Sequence, residues 1–249
     1  MRILLLAGSG EARAIASGIA AMEGVEAIAS LAGVTERPAK LVLPTRVGGF
    51  GCDGGFRRYL EDSAIDAVLD ATHPFAARIS ARTAAICAGK EMPHSIFWRR
   101  EWRPGPRDRW HLLDRAEEVA AVVPEEATVF LATGTRDLEG FANLRGRRVF
   151  CRGMSAPSKR FPFAEGEYVI DRPPFAVEDE VRLFRRLGID WLVARNSGGA
   201  AGRSKLDAAR AVGVDVALLR RPPVPATTVL KTVGEALAWV RGLKSSVAS

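Results

Sequence analysis

Short apolar runs alternate with longer stretches of helical period along most of the chain. The first unit is a predicted strand over Ile3–Ala7, a turn, a helix from Glu11 to about Met22 and a strand over Val25–Leu31. Apolar runs without polar alternation are typical of parallel strands that are covered on both faces. The pattern therefore predicts an α/β protein built on parallel sheets.

The same alternation continues to the C-terminus. The next predicted elements are a strand over Lys40–Arg46, a helix near Phe56–Asp62, a strand over Ile65–Ala71 and a helix over Phe75–Ala88. A second series contains a helix over Asp114–Val123 with Asp114 as its N-cap, strands over Thr128–Ala132 and Arg148–Arg152, a helix over Val177–Leu187, a strand over Asp190–Arg195, a helix over Ser204–Val212, a strand over Asp215–Leu219 and a terminal helix over Val233–Leu243. Two doubly wound layers follow from this order.

A stretch crowded with proline, arginine and tryptophan, Pro93–Pro106, separates the two series. Such a composition is typical of a connection between domains. The 249 residues are enough for two domains of moderate size. We therefore expect an N-terminal domain over residues 1–97 and a C-terminal domain over residues 98–249.

Composition excludes a disordered chain, because 47% of the residues are hydrophobic and 26% are charged. Cys52, Cys87 and Cys151 lie far apart without CxxC spacing, which argues against a disulfide framework and a zinc site. The apolar start is too short for a signal peptide, and no stretch is long enough to span a membrane. We expect a cytoplasmic protein without a bound metal.

The chain is basic, with 36 Lys and Arg against 29 Asp and Glu, a net charge of +7 and a pI near 9.8. Phosphates, polycarboxylates or nucleic acid are the partners that such a charge favours. The basic residues are scattered, and the tryptophans and tyrosines do not interleave with them as a stacking platform would. We expect no nucleic-acid partner.

A glycine-bearing turn, Gly8, Ser9 and Gly10 followed by Glu11, joins the first strand to the first helix. Unpaired N–H groups and the helix dipole attract phosphate at such a place. The third glycine of G-x-G-x-x-G would fall at Arg13, so the dinucleotide fingerprint is incomplete. A tight turn in which Glu11 favours the helix N-terminus is the structural alternative.

The end of the second strand bears on the choice of cofactor. An NAD-binding strand end offers an acid about 20 residues after the glycine turn. Ser30–Thr35 contains Ala32, Gly33 and hydroxyls but no acid, and Arg37 follows. Thr35 and Arg37 would suit the 2′-phosphate of NADP, which makes NADPH the expected cofactor.

The segment from Asp70 to Phe75 follows a predicted buried strand, on the side where open α/β sheets bind ligands. We expect Thr72–His73 and Gly8–Glu11 to lie at the mouth of one cleft, because both follow parallel strands at their carboxyl ends. His73 has a pKa range that suits a proton donor. A structural role is the alternative, with Thr72 or His73 as the N-cap before Pro74. Asp70 either orients His73 or satisfies backbone amides.

Two further glycine-rich loops are candidate binding sites. Thr133–Arg136 repeats the strand–turn–helix arrangement, and the segment from Arg195 to Lys205 has three glycines, hydroxyls and cations before a helix, which suits an anion. A flexible connection with a solvated, exposed Lys205 is the alternative. After Arg46, the run Gly48–Gly51 holds Phe50 among glycines, where a flat ligand could approach closely.

Together these motifs resemble the precorrin-6A reductase family of cobalamin biosynthesis, which includes the cobalt-precorrin-6A reductases of the anaerobic route. Cys52 stands where that family usually has another glycine, and Arg195 where lysine is common. The matching segments, in chain order, are Ile3–Ala12, Ser30–Gly33, Arg46–Gly51, Asp70–Ala76, Asn196–Gly199, Lys205–Leu206 and Arg221–Pro222.

The resemblance implies two Rossmann-like doubly wound parallel-sheet domains, with NADPH and a polycarboxylated tetrapyrrole in the cleft between them. The implied reaction transfers a hydride from NADPH to one unsaturated carbon of precorrin-6A and adds a proton to the neighbouring atom, giving precorrin-6B. We assign catalysis to His73 and Lys205. The predicted cofactor contacts are Gly8, Ser9, Gly10, Glu11, Ala32, Gly33, Thr35, Arg37 and Thr72, and the predicted substrate contacts are Arg46, Gly49, Phe50, Arg195, Asn196, Ser197, Gly198 and Gly199.

The sequence leaves other functions open. A non-catalytic NADP-binding sensor would keep the fold and lose the chemistry. A methyltransferase would usually have an acid after the second strand. We expect a monomer that binds neither membrane nor nucleic acid.

Overall fold

The computed structural model describes residues 1–33, 40–136, 138–155, 157 and 160–247. They form two compact units: unit 1 is Met1–Arg100 with Pro222–Ser249, and unit 2 is Glu101–Arg221. The elements in chain order are β1 (Arg2–Ala7), α1 (Glu11–Ala20), β2 (Glu26–Leu31), β3 (Thr45–Val47), α2 (Asp53–Asp62), β4 (Ala67–Ala71), α3 (Ala77–Gly89), β5 (His94–Phe97), β6 (Trp110–Leu113), α4 (Val119–Val122), β7 (Thr128–Leu131), β8 (Arg148–Gly153), β9 (Glu165–Ile170), α5 (Val177–Leu187), β10 (Trp191–Arg195), α6 (Ser204–Val212), β11 (Asp215–Leu219), β12 (Thr228–Leu230) and α7 (Val233–Val247).

Unit 1 is built on a parallel sheet in the order β12-β5-β4-β1-β2-β3. The central strand β1 is apolar from Ile3 to Ala7 because both of its faces are covered. Ile3 and Leu5 lie in a cluster with residues of α1 and α7, whereas Leu4 and Leu6 lie in a cluster with residues of α2 and α3. This double coverage explains the absence of polar alternation along the strand.

The C-terminal segment completes unit 1. Strand β12 pairs with β5 in parallel, with Thr228 opposite Ser95, and α7 packs against α1. A Cβ atom at Gly18 of α1 would lie 2.5 Å from the Leu237 side chain, so the glycine lets α7 approach closely. The predicted domain of residues 98–249 therefore needs correction: residues 222–249 belong with the first sheet, whose outer strand and covering helix they supply.

Unit 2 contains a second parallel sheet in the order β6-β11-β10-β7-β8-β9. The chain runs outward from β7 to β9 on one side and from β10 to β11 on the other, and the first strand of the unit, β6, lies at the far edge. Its core contains Phe130, Phe184, Leu192, Leu206 and Leu218. Both sheets are thus doubly wound, and the predicted fold class is confirmed.

Some predicted elements are wrong. Only the end of the predicted strand Lys40–Arg46 is regular, since β3 begins at Thr45. Strand β5 lies inside the stretch that was expected to be a connection, and β6, β9 and β12 are further strands that the apolar pattern does not predict.

The predicted helix Asp114–Val123 is reduced to a 3-10 turn, Ala116–Glu118, followed by the single turn of α4. Arg115 occupies the N-cap, and the Asp114 carboxylate pairs instead with Arg220 at 3.0 Å. Valines are β-branched and favour extended backbone, and Pro124 disfavours helix at the residue before it. The helical pattern there was too short to overcome these preferences.

Candidate functional site

The glycine turn and the His73 loop of unit 1 lie side by side. They follow β1 and β4, the neighbouring strands at which the strand order reverses, and such reversals form ligand crevices in open α/β sheets. The Ser9 N–H donates to the Ala71 carbonyl oxygen at 3.1 Å. A Cβ atom at Gly8 would lie 3.3 Å from Thr72 Cα and 3.4 Å from His73 N. The predicted meeting of these two loops is confirmed.

The N-terminus of α1 is open next to this junction. A Cβ atom at Gly10 would meet nothing within 4 Å, and Ser9 Oγ accepts the Ala12 N–H at 3.3 Å. The Glu11 carboxylate pairs with Arg99 at 2.5 Å, so its charge is neutralised within unit 1. An anion at this helix end would therefore meet the helix dipole without repulsion from an unpaired acid.

The loop that carries His73 is braced from within. Asp70 Oδ1 accepts the Thr72 N–H at 2.9 Å, and His73 Nδ1 accepts the Phe75 N–H at 3.3 Å. Because Nδ1 accepts this bond, the neutral imidazole carries its proton on Nε2. The prediction that Thr72 or His73 caps α3 is wrong, since Ala76 occupies the N-cap and makes no side-chain capping bond.

A buried polar cluster lies behind that loop. Asp70 is fully buried, and neither its Oδ2 atom nor Thr83 Oγ1 nor the ring nitrogens of His94 has a hydrogen-bond partner within the described part of the chain. Burial lowers the pKa of His94, and the negative charge of Asp70 opposes this shift. The sequence gives no signal for this cluster, because its members come from β4, α3 and β5.

The β2 edge holds the other predicted cofactor contacts. Ala32 and Gly33 follow β2 and are exposed, and Gly33 has a left-handed φ of +74°. Thr35 and Arg37 lie outside the described residues, as does Glu36 between them, the acid that stands just beyond the acid-free segment Ser30–Thr35.

Arg46 and Phe50 make contacts within their own loop. The Arg46 guanidinium donates to Ser30 Oγ at 2.8 Å, to the Gly48 oxygen at 2.9 Å and to the Gly49 oxygen at 3.1 Å. It also lies 4.0 Å from the centroid of the Phe50 ring, whose own neighbours are Phe56 and Tyr59. These contacts give both residues a structural role in holding the loop, and substrate contact by Arg46, Gly49 and Phe50 stays a prediction.

Unit 2 has a second strand-order reversal, between β7 and β10. The loop Thr133–Arg136 follows β7, and the loop with Ser197, Gly198 and Gly199 follows β10. Gly198 and Gly199 have φ values of +64° and +76°, which only glycine adopts without strain. Thr133 Oγ1 is buried and has no hydrogen-bond partner among the described residues.

Lys205 is not the solvated, exposed lysine of the structural alternative. The side chain is largely enclosed, and Nζ donates to the Gly202 carbonyl oxygen at 2.8 Å. Burial lowers the pKa of Lys205 to about 8; the Glu180 carboxylate raises it and the Arg152 guanidinium lowers it further. A lysine that titrates near neutral pH can release a proton as well as bind an anion.

Glu180 and Arg152 form a buried ion pair that sequence reasoning missed. Arg152 donates two bonds to the carboxylate, at 2.6 and 2.8 Å, and the Glu180 side chain is only 1% exposed. The pair lines a cavity of about 340 Å³ with Phe175, whose ring centroid is 4.1 Å from the guanidinium. The available signal for this pair was the charged Glu180, which lies four residues before Phe184 on the buried side of α5.

Asn196 has a structural function. It is 5% exposed, and its side chain accepts the Trp102 N–H at 2.9 Å and donates to the Trp102 carbonyl oxygen at 3.0 Å. Its own carbonyl oxygen accepts a bond from Arg221. Arg195 and Ser197 flank it and are half-buried, so both remain candidates for ligand contact.

Within the described residues, no three His, Cys, Asp or Glu side chains are grouped as a metal site requires. No described helix is long and apolar enough to cross a membrane. The fold and the loops thus define an α/β protein of two Rossmann-like units, each with a glycine-bearing loop at its strand-order reversal.

Comparison with known proteins identifies the family within this class. The model described as precorrin-6x reductase CbiJ/CobK matches residues 2–241, and the chain belongs to this family. A precorrin-6A reductase of Rhodococcus erythropolis is 41% identical over 96% of this chain and 97% of its own length. A cobalt-precorrin-6A reductase of Priestia megaterium is 25% identical over 94% and 95%.

A solved structure named CobK precorrin-6A reductase matches with a TM-score of 0.92 and 37% identity, covering 97% of this chain and 96% of that one. The likeness therefore extends over both units. The resemblance that the motifs indicated is confirmed.

Proposed function

We propose that this chain reduces one double bond of precorrin-6A with NADPH. The observation that carries the proposal is the junction of Gly8 with Thr72 and His73 at the β1–β4 reversal. The junction belongs to a chain that shares the reductase family over residues 2–241. The relatives named precorrin-6A reductase reach 41% identity, against 25–27% for those named cobalt-precorrin-6A reductase, which favours the cobalt-free substrate.

The residues at this junction fit a dinucleotide. The open space at Gly10 leaves room for a pyrophosphate at the N-terminus of α1, and the Glu11–Arg99 pair removes the charge that would repel it. Ser9, Ala32, Gly33 and Thr72 border the same sheet edge. When bound, the cofactor supplies a hydride for the substrate.

The chain's own part in the reaction is to hold the substrate and a proton. Lys205 has a pKa of about 8, so its ammonium can supply a proton to the substrate, and neutral His73 presents its Nε2–H as a hydrogen-bond donor. One proton and one hydride together saturate one double bond. We assign both residues catalytic roles on these grounds.

The second unit is suited to the carboxylates of the tetrapyrrole. The segment that leads to Lys205 contains Arg195, Ser197 and the left-handed glycines Gly198 and Gly199. Charge-assisted bonds from arginine and lysine are the usual means of holding carboxylates.

Absorbance measurements test the proposal directly. The purified protein is mixed with NADPH and precorrin-6A, and the nicotinamide and macrocycle bands are followed together. We expect NADPH to be consumed in step with the macrocycle. Consumption of neither, with the cofactor bound, would identify a binding protein that has lost the chemistry.

Cofactor choice has its own test. We expect NADPH to bind more tightly than NADH by about tenfold or more, the gain from one charge-assisted bond of ~1.5–3 kcal/mol to the 2′-phosphate. Calorimetric titration of wild type and of Arg37→Ala separates this contact from general charge. Equal affinities would contradict a contact between Arg37 and the 2′-phosphate.

A further inference from the structure

Trp102 is an indole that the proposed chemistry does not use, and it is fixed by three hydrogen bonds. Its backbone exchanges two bonds with the side chain of Asn196, at 2.9 and 3.0 Å. Its Nε1–H donates to the Gly199 carbonyl oxygen at 2.7 Å. Trp102 is 7% exposed although the surrounding backbone is neither helix nor strand. The chain thus orders an irregular segment around this side chain.

The indole lies against the ammonium group of Lys205. Lys205 Nζ is 5.4 Å from the Trp102 ring centroid, within the range of a cation–π contact. A Cβ atom at Gly202 would lie 3.1 Å from the indole and 3.3 Å from Lys205 Nζ, so Gly202 leaves the space that lets the two groups pack. Nζ donates to the carbonyl of this same glycine.

The contact matters because the lysine is otherwise poorly solvated. Burial disfavours its charged form, and the charges that act on it from neighbouring elements are Glu180 of α5 and Arg152 of β8. Those two groups are paired with each other at 2.6 Å, and their effects on the ammonium oppose each other. The indole face is then a specific stabiliser of the positive charge.

The geometry points to Trp102 as a positioning residue. Its ring face holds the Lys205 ammonium in place, and its Nε1–H holds the loop 196–202. The activity part of this inference rests on the proposed function of Lys205; the contact itself does not. Removal of the ring should disfavour the ammonium form and therefore lower the pKa of Lys205.

The test is an NMR titration of protein that is labelled with [ε-13C]lysine. The Lys205 signal is assigned from its absence in Lys205→Arg. We expect Trp102→Leu to lower the pKa of Lys205 by about 0.5 unit or more, since a partly desolvated cation–π contact is of that size. Trp102→Phe keeps a smaller ring and should lower the pKa less. Trp191→Phe is the control, because Trp191 is similarly buried in the same unit, at 8% exposure.

The pH profile of kcat/KM for precorrin-6A reduction is measured on the same proteins. We expect its lysine-dependent limb to shift with the NMR value in Trp102→Leu and to stay in place in Trp191→Phe. An unchanged or raised pKa in Trp102→Leu would overturn the inference. If that variant does not fold, an unchanged or raised pKa in Trp102→Phe would do the same.

The two proposals fail differently. Full activity of Lys205→Ala would remove Lys205 from the reaction, while the NMR titration would still decide whether Trp102 holds the ammonium. A shifted NMR titration with an unshifted pH profile would overturn the positioning role and leave only a structural contact.

Discussion

Lys205 illustrates how burial changes what a residue can do. The sequence places a lysine at the start of a helix, where a cation is unfavourable to the dipole, and a solvated side chain was a reasonable interpretation. Its neighbours Leu206, Ala208 and Ala209 are fully buried, and the ammonium itself is enclosed. Enclosure depends on Trp102 and Gly202, which single-helix periodicity does not reveal.

Removal of this charge should therefore stabilise the protein at neutral pH. The folded pKa of Lys205 is lowered from 10.5 to about 8, so between these values the unfolded chain binds more protons and stability rises with pH. Lys205→Met should be more stable than wild type by up to about 3 kcal/mol near pH 7, and the difference should shrink toward about pH 10. Urea unfolding at the two pH values measures this.

An unchanged stability near neutral pH would mean that Lys205 is solvated after all. Activity gives the complementary result. Lys205→Met should lower kcat/KM by roughly tenfold or more, the effect of one lost charge-assisted bond of ~1.5–3 kcal/mol.

Arg46 is the second residue whose role the structure alters. Its three bonds and its stacking on Phe50 need a planar, forked side chain, which lysine does not provide. We expect Arg46→Lys to destabilise unit 1 by about 1–2 kcal/mol, since it loses one or two part-buried bonds. Thermal unfolding measures the change, and Arg58→Lys on the exposed face of α2 is the control. Equal melting temperatures of wild type and Arg46→Lys would show that Arg46 does not hold the loop, and would leave it only as a predicted ligand contact.

Among the elements, the glycine turn before α1 offers a matched pair of substitutions. Gly8→Ala places a methyl group 3.3 Å from the backbone at Thr72, which must move, whereas Gly10→Val enters open space with φ of −62°. We expect Gly8→Ala to cost about 1–3 kcal/mol in stability, as overpacking does. Gly10→Val should fold normally and weaken NADPH binding by crowding the helix end. Calorimetry and thermal unfolding of both variants provide the test.

A Gly10→Val variant that is unstable, or that binds NADPH normally, would contradict the placement of the cofactor phosphate at this turn. Gly8→Ala would then report only on packing.

The elements also differ in how well the sequence predicts them. Helices α5 and α6 and strand β11 have the predicted bounds, because each is an apolar stripe or run bounded by a glycine, Gly188 after α5 and Gly213 between α6 and β11. Strands β5 and β12 have only four and three residues, each shortly after a proline, and are stabilised by pairing with each other, more than 130 residues apart. A local pattern contains no information on such a partner.

The candidate site likewise has parts that the sequence predicts and parts that it does not. Glycine turns at strand ends predicted the meeting of Gly8 with the His73 loop, since carboxyl ends of neighbouring parallel strands share an edge. The buried Arg152–Glu180 pair and the Trp102–Lys205 contact join distant segments. Each depends on packing between elements, which the order of residues along one helix or strand does not specify.

For the whole molecule, the division of the chain into units has a measurable consequence. Residues 222–249 supply the outer strand of the first sheet and the helix that covers Ile15 and Ile19. A chain that ends at Arg221 should expose this apolar face, bind a hydrophobic dye and lose amide protection in β1–β5 while β7–β11 stay protected. Hydrogen exchange by mass spectrometry measures this. Loss of protection in β7–β11 alone would support the division at residue 98 instead.

Hydride transfer from NADPH to a tetrapyrrole is the reaction we propose for this chain. The most direct measurement uses NADPH that carries deuterium at the transferable position, with precorrin-6A in ordinary water, followed by mass spectrometry of the macrocycle. We predict one deuterium in each product molecule from the cofactor and one proton from water, with the cofactor oxidised in equal amount. An unlabelled or unreduced macrocycle after incubation with cofactor-bound protein would contradict the account.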